Sequence, residues 1–227
     1  MFKAKVQVLL AAGFASACAS VSLGSQTDSA DGDSASRTQQ VQIRVFNLAR
    51  VPRRDLSRAE SEVTRIFAEA GMGVHWVDGA LDDNVSLVTD FSGKNSTATG
   101  CKVASQARSL SVRLLPHAPQ GLAAGTLGFS LPCAAFGIDS TIFVDRCEGV
   151  TYQTPASLNK VLAYAIAHEL GHVLLRSSEH SLAGLMRARW DKAAWQRAAV
   201  EGIPIDRQQA RRMRMELARM SESNGRN

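Results

Sequence analysis

Four cysteines in a chain of 227 residues cannot staple it as a disulfide scaffold, and a chain of this length can bury a sizeable core without staples. No stretch of about 18 consecutive apolar residues occurs, so no segment reads as a stable membrane span. No internal repeat is visible, and fibres and coiled coils are excluded by composition. Charge of one sign is also scarce. Lys and Arg number 26 against 21 Asp and Glu, a net +5. Lys3 and Lys5 fall in a segment expected to be removed, which leaves +3 of that +5. Such an excess is too weak to argue for nucleic acid. What remains, 45% hydrophobic and 21% charged residues, is a globular composition, and the length fits one domain of ordinary size or two very small ones.

The N-terminus reads as an address. Two lysines precede an apolar, small-residue stretch from Val6 to Ala17, and Ala15-Ser16-Ala17 and Ala17-Cys18-Ala19 both fit an A-x-A cleavage site. Residues 1–19 are therefore expected to be a secretory signal peptide cleaved near 17–19, which implies export to the periplasm, cell envelope or medium. Cys18 after Ala15-Ser16-Ala17 resembles a bacterial lipoprotein box, although Ala15 replaces its usual Leu. Lipidation of Cys18 would be the one route to a membrane. Residues 20–40, rich in Ser, Asp and Gly, are expected to form a flexible linker, and 41–227 the folded domain.

Within that domain Val41 to Phe46 alternates apolar and polar residues, the pattern of a strand with one wet face. Pro52 to Ala70 carries Leu56, Ala59, Val63, Ile66 and Phe67 at helical spacing, with Gly71 as a stop. Gly73 to Val77 is a second strand, so the opening reads as βαβ. Residues 79–108 read as a long polar loop. Strands are expected at Ser109–Leu115, Leu127–Leu131 and Thr141–Val144, then a helix from Ala156 to Leu175 and a basic helix from about Asp206 to Met220. The arginines of that last helix read as a solvated face. The fold class is α+β, a mixed sheet packed on a few helices.

The chemistry is concentrated in His168-Glu169-Leu170-Gly171-His172, an H-E-x-x-H motif. Leu158, Val161, Leu162, Ala165 and Ile166 lead into it at helical spacing. Residues four apart on a helix lie about 6 Å apart along its axis and nearly on one face, so both imidazoles can bind one metal. Imidazole nitrogens suit Zn²⁺, and a catalytic zinc keeps three protein ligands and an open water position. Glu169 is then the general base for a zinc-activated water. The next histidine, His180, is the candidate third ligand. His75 and His117 lack ligand spacing and read as structural or surface residues.

The window His168 to Met186, HELGHVLLRSSEHSLAGLM, resembles the metzincin zinc metalloproteases, and their matrixin-like branch most closely. That family carries H-E-x-x-H-x-x-G-x-x-H followed by a methionine turn beneath the metal. Met186, eighteen residues after His168, keeps the family's separation. Thr126 to Pro132 and Thr141 to Asp145 are similar to its substrate-binding edge strand and the strand beside it. Two departures stand out: Leu175 occupies the position of the family's glycine, and His180 falls twelve residues after His168 where the family has ten.

The resemblance implies a mostly parallel sheet with an antiparallel edge strand, packed on an active-site helix and a C-terminal helix. It implies a monomeric, exported zinc endopeptidase with His168, His172 and His180 as ligands and Glu169 as base. Met186 would support the metal from below, and peptide would bind along Leu127, Gly128, Phe129, Ser130 and Leu131. On that sheet layout Cys101 pairs with Cys133 and leaves Cys147 free, because Cys133 and Cys147 would lie at opposite ends of adjacent strands. Other readings stay open. Glu179 or Cys147 could close a four-ligand structural site in a non-catalytic envelope protein, or Glu201 could replace His180.

Overall fold

The computed structural model describes residues 39–79, 109–133 and 138–223. The expected signal segment with Cys18, most of the linker, Cys101 and nearly all of the loop expected at 79–108 lie outside the described residues. Five strands form one sheet: β1 (Gln39–Asn47), β2 (Met72–Asp78), β3 (Ser109–Leu115), β4 (Gly128–Ser130) and β5 (Ser140–Phe143). Their order is β2-β1-β3-β5-β4. The first four neighbours in that order run parallel, and β4 pairs antiparallel to β5 at the edge. Five helices accompany them among the described residues, α1 (Arg53–Glu69), α2 (Val144–Thr151), α3 (Leu158–Leu175), α4 (Lys192–Val200) and α5 (Arg207–Ser223). The protein is thus mixed α+β with a mostly parallel sheet.

Alternation in β1 decides which face is covered. Val41, Ile43 and Val45 are buried, while Gln40 and Arg44 are exposed. Parallel strands need a crossover, and α1 supplies it between β1 and β2. Its buried residues are Leu56, Ala59, Val63, Ile66 and Phe67, with Glu60 beside them. Gly71 then takes φ +76, a left-handed conformation open to glycine at little cost, and the chain turns into β2.

The helix that carries the motif is the centre of the molecule. α3 packs against α1, α2, α5, β4 and β5, and nearly every residue from Val161 to Leu175 is buried. Each fully buried side chain such as Leu162, Ile166 or Leu170 contributes roughly 1.5–3 kcal/mol. The last two turns of this helix are therefore held by the core on several sides.

Three elements differ from the expectation. The strand expected to reach Val144 ends at Phe143: the chain passes directly from β5 into α2 at Val144, and Cys147 is buried in that helix. Asp145 in its first turn accepts hydrogen bonds from the Ala118 amide, which holds the helix start against the loop after β3. The β-branched run before it hid this change. Second, α4 is not expected. Asp191 caps it by accepting from the Ala194 amide at 2.7 Å, and Trp195 packs at a tilt against Trp190 and edge-on to Tyr164 of α3. Third, β4 is three residues long, so Leu127 and Leu131 flank it, although both still exchange backbone hydrogen bonds with the β5 segment.

Candidate metal centre

His168, Glu169 and His172 occupy the C-terminal half of α3. The helix ends at Leu175, and Arg176 adopts the left-handed conformation, φ 50, ψ 41. The Ser177 amide then donates to the His172 carbonyl at 3.1 Å and the Arg176 amide to the Val173 carbonyl at 3.1 Å. This pair of bonds is a Schellman cap, which normally places glycine where Arg176 stands. The chain bends back and brings His180 to the other two histidines. Ring centroids lie 4.7 Å apart for His168 and His172, 5.3 Å for His168 and His180, and 4.7 Å for His172 and His180.

One nitrogen from each of the three rings lies within 4.8 Å of the others, so this group could hold a metal ion. The outer nitrogens are tied down. His168 Nδ1 donates to the Leu185 carbonyl at 2.9 Å, and His172 Nδ1 donates to the Ser177 carbonyl at 2.8 Å. A carbonyl oxygen can only accept, so each Nδ1 carries the proton and each Nε2 presents a lone pair. Those two Nε2 atoms face each other at 3.1 Å. Two lone pairs so close repel unless a cation lies between them. Two nitrogens each about 2.0–2.1 Å from a tetrahedral zinc would stand about 3.3 Å apart, close to what is found. The donor set therefore fits a divalent, imidazole-preferring metal.

Burial favours the neutral, ligating form of His168 and His172. It pushes His172 down to about 4, reinforced by neighbouring His168 and His180 and opposed by the bond to Ser177. It lowers His168 in the same way. Glu169 is pushed up to about 7 by burial, against a hydrogen bond from Ser130. Ser130 of β4 thus touches the Glu169 carboxyl. His180 is exposed, so the group opens to solvent on its side.

Two glycines let the surroundings close on the site. A Cβ on Gly171 would collide with Met186 Sδ, and one on Gly128 would meet the Thr141 carbonyl at 2.5 Å and Glu169 Cγ at 3.2 Å. Met186 is fully buried against the helix, in a turn where Gly184 has φ +74 and Leu185 presents its carbonyl to His168. The turn is anchored by the Ser181 amide on the Met186 carbonyl and the Leu185 amide on the Pro204 carbonyl.

Among the described residues no Cys, Asp or Glu joins the three histidines in a ligand group. Cys147 is buried in α2 as a free thiol, Glu179 is exposed, and Glu201 ends α4. Cys133 is disulfide-bonded, whereas Cys101 lies outside the described residues. His75 is exposed on β2, and His117 stands 3.7 Å from Asp145. Of the expected edge-strand residues, Gly128, Phe129 and Ser130 form β4 beside Glu169, and the exposed Leu131 leaves it. The helix stops at Leu175, where its end is expected; what the sequence does not anticipate is the part played by Ser177 and Leu185 in holding the histidines, and the ion pair of Arg176. The first two act through backbone carbonyls, which leave no side-chain signature. Compared with known proteins, the chain matches no family model and no curated protein.

Proposed function

We propose that the chain is an exported, metzincin-like zinc endopeptidase in which His168, His172 and His180 hold the metal. The observation that carries this reading is the pair of Nε2 lone pairs facing each other at 3.1 Å, with Glu169 next in sequence to one of them. A bound zinc would supply Lewis acidity and lower the pKa of water. The rest of the chemistry belongs to the chain. Glu169, nine-tenths buried and touched by Ser130, is the group that takes a proton from the attacking water and hands it to the leaving amine. The Nδ1–H bonds to Leu185 and Ser177 keep His168 and His172 aimed inward, as an outer shell does for metal-bound imidazoles. Met186 packs beneath them against Gly171 without ligating.

An extended peptide would add to the sheet along β4, whose outer side ends the strand order. The substrate is accordingly a peptide or protein, nucleic acid plays no part, and the monomer suffices. Three ligands with one side open favour a catalytic centre over a closed structural one. The test is a peptide-library digestion by zinc-loaded protein, run beside Glu169→Ala. Cleavage by the first and not the second is expected. Equal cleavage by both, or none by either while zinc is bound, would contradict the proposal.

A further inference from the structure

The left-handed residue that ends α3 is an arginine, and its side chain is held by the C-terminal helix. Arg176 and Arg50 are the only non-glycine residues with positive φ among the described residues. Left-handed backbone is disfavoured for any residue with a Cβ. At Arg176 something must select it. The Arg176 guanidinium donates to Glu216 Oε1 of α5 at 2.9 Å, with the two side chains only 19% and 12% exposed. Glu216 also accepts from Arg219 at 3.3 Å, which fixes the carboxylate. Partly buried, charge-assisted bonds of this kind fix a geometry more firmly than fully exposed pairs do.

The turn at Arg176 acts on the metal centre twice. It delivers the Ser177 amide to the His172 carbonyl and the Ser177 carbonyl to His172 Nδ1, so one residue holds both ends of that histidine. It also reverses the chain so that His180 arrives 4.7 Å from the His172 ring. A helix continuing past Leu175 would carry His180 about 12 Å along the axis beyond His172. We propose that Arg176, clamped by Glu216, is a positioning residue of the metal site: the α3–α5 ion pair selects the left-handed turn and thereby sets zinc affinity. The inference rests on the three-histidine reading of the site, though not on peptidase activity.

Zinc affinity measures the population of the competent turn, since an apparent dissociation constant rises as the competent fraction falls. The experiment is zinc titration of the full chain against a chromophoric chelator, with the absorption spectrum of the cobalt-substituted protein recorded alongside. The variants are Glu216→Ala, Glu216→Gln, Arg176→Ala, Arg176→Gly and the double variant Arg176→Gly with Glu216→Ala. Circular dichroism and unfolding of each metal-free variant check the fold. Glu216→Ala and Arg176→Ala are expected to weaken zinc binding about tenfold (about 1.4 kcal/mol) and to alter the cobalt spectrum. Arg176→Gly is expected to stay within about threefold of wild type, because glycine takes this conformation without a clamp. In that background, removing Glu216 should add nothing.

A purely structural tie between α3 and α5 would lower unfolding stability in all variants and leave zinc affinity unchanged, which would overturn the proposal. Loss of affinity in Arg176→Gly as large as in Arg176→Ala would overturn it too. Wild-type protein that binds no zinc would end the metal reading and this inference together, whereas zinc-binding wild type with unaffected variants ends only the inference.

Discussion

Gly128→Ala is the perturbation whose effect can be worked most fully from the structure. Gly128 pairs with Ile142 where the edge strand β4 lies over α3. An added Cβ would stand 2.5 Å from the Thr141 carbonyl oxygen, 2.8 Å from Ile142 Cδ1 and 3.2 Å from Glu169 Cγ. Carbon and carbonyl oxygen approach to about 3.3 Å at closest, so β4 must move by roughly 0.8 Å. The obstacle is backbone of the neighbouring strand, which cannot rotate away as a side chain would. Overpacking of this kind costs about 1–3 kcal/mol. For a folded unit of this size that lowers the melting temperature by roughly 2–12 °C. The same movement presses on Glu169, and misplacing a reacting group by about 1 Å costs on the order of 10²-fold in rate. None of the three histidines is among the nearest atoms the Cβ would meet, so zinc content should stay at the wild-type level. Thermal unfolding, metal analysis and peptide turnover on one preparation read all three quantities. Wild-type melting with full turnover would refute the packing argument, and loss of zinc in step with turnover would refute its restriction to Glu169.

Other expectations follow from the same contacts. Glu169→Gln should bind zinc as wild type does and lose turnover, measured by metal analysis and peptide cleavage. His180→Ala should lower zinc occupancy sharply, whereas a surface role for His180 predicts normal occupancy. Met186→Ala removes a fully buried side chain and should cost about 2–5 kcal/mol in chemical denaturation. Glu62 is pushed up by burial, but its bonds to Arg65 and Lys160 outweigh this and hold it below the ordinary value of 4.5. A depressed carboxyl stabilises the fold above the unfolded value and loses that contribution as pH falls through the folded one. Glu62→Gln should therefore destabilise by about 1–3 kcal/mol at pH 7, and the difference from wild type should shrink as pH falls below 4.5.

Much of the architecture is legible in the residues because hydrophobic period and burial agree there. The alternation of β1, the helical spacing of α1 and the long apolar run of α3 each write their environment directly into sequence. The change from β5 to α2 is not written this way: Thr141 to Val144 is β-rich throughout, and the helix start is marked by tertiary bonds, the Asp145 carboxylate accepting from the Ala118 amide and the Asp145 amide donating to the Pro116 carbonyl. α4 is held by its Asp191 cap and by Trp195 against the Tyr164 ring of α3, a long-range contact that a short basic segment does not announce. In the site, the H-E-x-x-H spacing reveals two histidines and the carboxyl. Neither Ser177 nor Leu185 could be found, since each contributes a carbonyl. The turn that admits His180 falls at Leu175, where the helix is expected to end, but what holds it is hidden for a related reason. Its left-handed residue is an arginine rather than a glycine, and the compensating Glu216 lies forty residues away.

X-ray absorption at the zinc edge of the zinc-loaded protein tests the three-histidine centre most directly. The account predicts three imidazole nitrogens at about 2.0–2.1 Å with one further oxygen or nitrogen neighbour that lacks an imidazole signature. A sulfur neighbour at about 2.3 Å, or only two imidazoles, would contradict it.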